Sequence, residues 1–349
     1  MANNLKDERS SYLKEYGKNS LSFLTLSDSL TAHQGSWEGY IAYKTFFKSA
    51  TILGDPIVPD ESLKKSIIDL KENLLSKKYH LNFFLCTDRS IQILKKQGFK
   101  CFYVGMEGVV DLNKFTISGR KKWKIRSSVN YAIKNNMTVD EYLYSKNYRS
   151  EEIENDINKI ANDWCGLKKT PELSFAFGHV DFNKFDGTRY FICRHQGKIV
   201  GFISYYPISG INSYYLDLTR RGLNAPRGTI DYLMVKSFEK LKEEGAKKIY
   251  IGFSPFSFLS YENSINSRFF TNLFTLVKPF FELYYPAKSE FFFKKKFATD
   301  WEPNYVVFYP RISIRNFLSL IHSMYEGGIG AFAISKLKYS LSRSNLKDK

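Results

Sequence analysis

The segment that most restricts the fold lies in the second half of the chain. There an apolar β-type run (212–218) passes through an irregular loop, RRGLNAPRG, into a helical pattern and then a second apolar run (248–253). The helix signals agree: Thr229 can cap, Asp231 complements the positive N-terminal end, Met234, Phe238 and Leu241 form one stripe, and Gly245 stops it. Strand, Arg- and Gly-rich loop, helix and strand is the order in which backbone N–H groups and a helix dipole meet an anionic ligand. Similar alternation fills the rest of the chain. Runs at 40–43, 50–53 and 81–86 read as strands, with a turn at Gly54, Asp55 and Pro56, and Leu63, Ile67, Leu70 and Leu74 recur as one helix face. Runs at 190–193 and 199–206 around Gln196-Gly197 read as a hairpin. The pattern predicts an α/β (α+β) chain rather than a bundle or sandwich.

At 349 residues and roughly 150 residues per domain, about two domains are expected. The hydrophobic fraction of 43% excludes wholesale disorder and a disulfide mini-scaffold. Lys and Arg number 52 against 35 Asp and Glu, a net charge of +17, which exceeds what solubility needs and predicts polyanionic partners: nucleic acid, an anionic membrane face, or both. No apolar run approaches the roughly 18 residues of a membrane span, and the polar N-terminus carries no secretory signal, so the expected compartment is the cytoplasm. Cys86, Cys101, Cys165 and Cys193 lie far apart and the histidines fall at no ligand spacing, so neither a metal nor a disulfide is expected. P-loop, serine-hydrolase and zincin motifs are absent, as is any internal repeat.

Two clusters can carry chemistry. The denser one holds Asp217, Arg220, Arg221, Arg227, Gly228, Thr229 and Asp231. A carboxylate at a strand end can orient a nucleophile or take its proton, and arginine can hold a phosphate or an oxyanion. The same spacing also suits an ion-paired helix start, with Asp231 a first-turn acid. The second cluster, FFFKKKFATDWEPNY, holds Lys294, Lys295, Lys296, Trp301, Glu302 and Tyr305, which suits stacked bases, a lipid interface, or an amphipathic element with snorkelling lysines. In GRKKWKIRSSVNYAIKNN, Ile125, Val129, Ala132 and Ile133 form a stripe opposite Arg120, Lys124 and Lys134. It reads as a basic helix bridging two lobes or as an ordinary solvated face. His179 and His195 read as structural. In the tail, Ile314, Phe317, Leu318 and Ile321 form an apolar stripe that suits either a membrane surface or the protein's own body.

Taken in order, YLKEYGKNSLSF, YKTFFKSATILGDPIVP, GMEGVVDLNKF, the basic helix, ELSFAFGHVD, LDLTRRGLNAPRGTIDYLMV, IYIGFSPFS and FFFKKKFATDWEPNYVVFYP resemble the soluble catalytic region of lysyl- and alanyl-phosphatidylglycerol synthases, the multiple peptide resistance factor family. The resemblance implies two GNAT-like acyltransferase lobes in tandem joined by a basic helix: an N-terminal lobe at 1–114, the linking helix at 115–138, the catalytic lobe at 139–310 and an amphipathic basic tail at 311–349. It implies transfer of an aminoacyl group from aminoacyl-tRNA to the hydroxyl of phosphatidylglycerol or a related lipid, without a cofactor, at an anionic membrane surface that the chain meets peripherally.

By motif, Asp217 and Arg220 match the family's D-L-x-R, Asp231 its G-T-x-D, Lys296 its K-x-K-F and Glu302 its W-E-P. Asp217, Arg220 and Lys296 are then the expected catalytic set. Arg221, Arg227, Gly228, Thr229, Asp231, Lys294, Glu302 and Tyr305 are expected to bind substrate, and Arg120, Lys121, Lys122, Lys124 and Arg126 to contact tRNA. Two departures bear on this. Nothing in the chain reads as the membrane-embedded flippase region of family members, so a lipid product would need another route across the bilayer. Ser289 and Glu290 also stand where a Gly-Leu segment is usual, which leaves the acceptor open between lipid and small molecule. An acyl-CoA-dependent transferase and a non-catalytic RNA- or membrane-binding module are the competing readings.

Overall fold

The computed structural model describes residues 2–145, 147–167, 180–183, 187–255, 257 and 287–324. Its core is one eleven-stranded mixed sheet, in the order β1-β2-β3-β4-β11-β5-β10-β9-β8-β7-β6. In the first half β1 (Thr31–His33), β2 (Ile41–Phe46) and β3 (Ser49–Leu53) run antiparallel, and helix α2 (Leu63–Ser76) crosses to β4 (His80–Cys86), parallel to β3. In the second half β6 (Thr138–Tyr142), β7 (Arg189–His195), β8 (Lys198–Ile208) and β9 (Ser213–Arg221) run antiparallel, and α6 (Thr229–Glu243) crosses to β10 (Lys248–Pro255), parallel to β9. Each half then sends a strand into the other. β5 (Lys100–Asp111), which follows α3 (Asp88–Lys96), pairs with β10; β11 (Asp300–Tyr309), which follows α7 (Ala287–Phe297), pairs with β4. β5 and β11 are themselves antiparallel from Val109↔Asp300 to Lys100↔Phe308, which makes the sheet continuous. The two halves thus share a topology that no sequence repeat announces.

The helices sit where their apolar stripes require. Leu63, Ile67, Leu70 and Leu74 of α2 are all buried against β3 and β4, each contributing roughly 1.5–3 kcal/mol of apolar burial. Below the second half, Ile125, Val129 and Ala132 of α4 (Trp123–Lys134) join Leu233, Met234, Phe238 and Leu241 of α6 in one core. The basic helix therefore rests on the C-terminal half, while β5 and β11 carry the hydrogen-bonded connection between halves. Ile133, expected in that stripe, is 54% exposed; it lies about 80° round the helix from Ile125, and Met137 past the helix end enters the core. α5 (Glu151–Leu167) covers the opposite face through Ile157 and Ile160.

Thr229 is not the cap of α6. Gly228 is, at φ +83°, and the Thr229 hydroxyl donates to the Pro226 carbonyl at 2.7 Å. A Cβ on Gly228 would fall 2.9 Å from that of Ser128, so glycine is what allows α6 to start against α4. In the tail, α8 (Ile314–Met324) packs on β2, β3 and β4. Among its described side chains, Asn316, Ser319, Leu320 and Ser323 are buried. Residues 325–349, and the motif at 172–179 with His179, lie outside the described residues.

Candidate active site

One irregularity places the chemistry-bearing residues of β9. Where β8 and β9 pair, a step of two along β8 (Ile203 to Tyr205) matches a step of three along β9 (Thr219 to Leu216), a bulge at Asp217 and Leu218. The Leu218 N–H, displaced from the ladder, donates to the Ser204 hydroxyl at 3.2 Å. Side chains switch sides across it: Leu216 packs in the core shared with α4 and α6, whereas Leu218 packs with Phe202, Ile157 and Ile160 under α5. In a regular strand, residues three apart point to opposite faces. The bulge brings Asp217 and Arg220 to the same one. Both are buried, and the Arg220 guanidinium lies 3.4 Å from the ring centroid of Trp164 on α5, a stack that fixes its plane.

A second pair forms on the α4/α6 side. Lys296 Nζ on α7 donates to Asp231 Oδ1 in the first turn of α6 at 2.5 Å, and Lys122 donates to the Lys296 carbonyl at 2.7 Å. Both pairs lie close to the carboxyl end of β9, Arg220 within the strand and Asp231 in the first turn of the helix that follows it. β9 and β10 are hydrogen-bonded as parallel partners at Tyr214–Ile249 and Tyr215–Tyr250, and that register ends there. Beyond it β10 is irregular, with Gly252 at φ +92°, and pairs with β5. An opening at the carboxyl ends of parallel strands is where α/β sheets bind ligands. Arg221 and Arg227 are exposed at the rim.

Beside the opening sits a buried polar group that sequence reasoning assigned only in part. Lys294, 6% exposed, donates to the Phe253 carbonyl at 2.6 Å, next to Gly252. Burial pushes its ammonium down to about 8, against the opposing pull of Glu290 and Glu107. Glu107 on β5 is 4% exposed and accepts from the Ser20 hydroxyl at 2.8 Å. Its carboxyl is pushed up to about 7, first by burial, while Ser20, Lys294 and Asn304 pull it down and Glu302 pushes it further up. Glu107 and Trp164 were not foreseen as site residues. Their partners lie far off in sequence, and no local spacing signals them.

Other expected residues have partners of their own. Glu302 pairs with Lys248 at 2.8 Å rather than with a cation of the site. Tyr305 is buried in the first half's core, and its hydroxyl donates to Asp88 at 2.9 Å. Of the basic set, Arg120, Lys121 and Lys124 are exposed beside Trp123, itself 54% exposed. Arg126 instead donates to the Ile117 and Gly119 carbonyls, and Lys122 is committed to Lys296. Among the described residues no three His, Cys, Asp or Glu side chains lie together as a metal would need, and no helix is long and apolar enough to cross a membrane.

Comparison with known proteins agrees with this fold. The structure of L-PGS from Bacillus licheniformis superposes with a TM-score of 0.77 at 22% identity, over 91% of this chain and 95% of that one. The C-terminal domain of a putative lysylphosphatidylglycerol synthetase from Agrobacterium fabrum gives 0.74 at 19% identity, over 91% and 96%. A phosphatidylglycerol lysyltransferase of Bacillus subtilis (strain 168) is 25% identical over 303 residues, and one of Staphylococcus epidermidis is 23% identical over 308. These cover 85% and 86% of this chain, which spans about a third, 34% and 35%, of the relatives' length. Residues 10–308 match the family described as phosphatidylglycerol lysyltransferase, C-terminal, and the chain belongs to that family.

Proposed function

We propose that the chain moves an aminoacyl group from aminoacyl-tRNA to a hydroxyl of phosphatidylglycerol or a related lipid. The lipid hydroxyl attacks the carbonyl carbon of the ester joining the amino acid to the tRNA terminus. A new ester bond forms, the old C–O bond breaks, and the lipid proton ends on the released ribose hydroxyl. That ester is already activated, so the protein has to align two substrates, take a proton and stabilise an oxyanion. Asp217 orients the acceptor hydroxyl and takes its proton. Arg220 faces the acceptor phosphate or the oxyanion, and Lys296, held by Asp231, adds positive charge at the α6 end.

The observation that carries this reading is the β9 bulge, which puts a buried carboxylate and a stacked guanidinium on one face, just past the point where the parallel pairing of β9 with β10 stops. The net charge of +17 suits both an RNA and an anionic lipid. The names of the relatives make lysine and phosphatidylglycerol the first donor and acceptor to try.

The test supplies the purified chain with labelled lysyl-tRNA and phosphatidylglycerol vesicles and looks for labelled lipid. Arg220→Ala is expected to slow transfer by about a hundredfold or more, the usual loss when one oxyanion donor is removed. Transfer at the parent rate in Arg220→Ala and in Asp217→Asn would remove the assigned roles. Consumption of acyl-CoA with no labelled lipid would favour the acyl-CoA-dependent reading.

A further inference from the structure

We propose that the tip of the β2–β3 hairpin and the flank of α8 form a docking surface for the headgroup region of an anionic phospholipid bilayer. The hairpin turns on Phe47 and Lys48, at φ +46° and +58°. Left-handed positions in two-residue hairpins favour Asn, Asp and Gly, and a large aromatic side chain there is strained. Phe47 gives the fold little in return, since it is 66% exposed. Strain kept at an exposed aromatic position points to a use outside the fold.

The neighbouring elements make this tip part of a wider surface. The Phe46 ring stacks on His322 of α8 with centroids 3.7 Å apart, which ties hairpin to helix. α8 meets the sheet through polar groups: Ser319 with the Thr51 hydroxyl at 3.1 Å, Asn316 with His80 at 2.9 Å, and the Asn316 carbonyl with Asn82 at 3.2 Å. Leu318 lies on the flank of that contact, half-buried. Together with Phe47, Lys48 and Arg315 it lines a surface cleft of about 470 Å³.

Charge selects the occupant. The stretches 39–54 and 303–325 contain Lys44, Lys48, Arg311 and Arg315 and no Asp or Glu. An apolar tip with a cationic rim matches a bilayer surface, where the ring enters the headgroup boundary and the cations meet lipid phosphates. A second copy of the same face would bring those cations against each other. Free phosphate would satisfy the cations and leave Phe47 in water. The surface gives the lipid-acceptor reading a way to hold the enzyme at its substrate, and rests on that reading only for its purpose.

The experiment is flotation of the full chain with vesicles of phosphatidylglycerol or of phosphatidylcholine, without tRNA or transfer, so that its failure leaves the transfer reaction untouched. The parent is expected to float with phosphatidylglycerol vesicles. Phe47→Asn should weaken that binding about tenfold, while its Tm stays equal or rises because Asn suits the turn. The Lys48→Glu, Arg315→Glu double variant should weaken it by roughly thirtyfold or more. Binding of Phe47→Asn equal to the parent's would overturn the proposal, and so would a fall in its Tm, which would place the ring in the fold. A concentration-dependent dimer abolished by Phe47→Asn would overturn it by assigning the face to a second copy. Equal thermal protection by inorganic phosphate and by phosphatidylglycerol vesicles would overturn it by reducing the surface to an anion site.

Discussion

Replacing Glu107 by Gln should change stability little at pH 5 and raise it at pH 9. The reason is the position of the carboxyl, in the middle of β5 between β10 and β11 and 4% exposed. Burial raises it from an ordinary 4.5 to about 7. Between those values the folded chain keeps a proton that the unfolded chain has released, so stability is highest on the acid side and falls as pH rises through the window. At about 1.36 kcal/mol per pH unit the full loss is about 3 kcal/mol. Lys294 acts in the other sense. Burial lowers it from 10.5 to about 8, so its cost is full below pH 8 and is relieved as pH climbs towards 10.5. Between pH 7 and 8 the fold bears both.

The Gln variant keeps an acceptor for the Ser20 hydroxyl and removes the ionisation. At pH 9 Lys294 is already largely neutral in the folded chain, so little attraction disappears with the carboxylate. For a chain of this size about 3 kcal/mol is about 4 °C in Tm. The assay is thermal unfolding of parent and variant at constant ionic strength at pH 5 and pH 9. A Tm difference that is the same at both pH values, or a variant less stable at pH 9 than at pH 5 relative to the parent, would refute the reasoning. A buried acid and base poised near neutrality is the kind of pair that active sites favour.

Two further outcomes follow from the same geometry. Gly228→Ala has to place a methyl 2.9 Å from Ser128 Cβ at φ +83°, and should lower the urea midpoint by an amount worth about 1–3 kcal/mol; an unchanged midpoint would mean that α4 and α6 are not held together there. Replacing Arg120, Lys121 and Lys124 by Ala should reduce the slope of log K for tRNA against log salt by about 0.7–0.9 for each phosphate no longer neutralised, whereas Arg126→Ala, which removes donors to the Ile117 and Gly119 carbonyls, should lower Tm instead; a salt slope unmoved by the triple change would take this helix out of the RNA interface.

Much of the local structure was legible in the residues. The Leu63, Ile67, Leu70 and Leu74 spacing specified a helix with one buried face, and the Gln196-Gly197 turn, both in the left-handed region, specified the β7–β8 hairpin. Gly245 ended α6 at φ +86° as expected. These readings succeed because a periodic apolar stripe or a turn residue acts within a few positions of itself. The same local logic misplaced the cap at Thr229, since what decides that position is how close Ser128 of α4 comes to Gly228. The apolar stripe of α8 left open whether it faces a membrane or the protein's own body, and it did not foresee that Asn316 and Ser319 meet Asn82, His80 and Thr51.

For the candidate site the division falls between inventory and placement. By themselves the residues supplied a surplus of cations, the Asp217 and Arg220 pair, the Lys294 to Lys296 run, the α/β class and, through their order, the family. Only tertiary structure decided that Asp217 and Arg220 share a face, because the facing strand, stepping from Ile203 to Tyr205 against Thr219 to Leu216, defines the bulge. Pairing across the sheet likewise put Glu302 with Lys248, set Tyr305 in a core with Asp88, and enclosed Glu107 near Lys294. Hydrogen-bond register and burial are properties of segments that meet from opposite ends of the chain, and no single segment contains them.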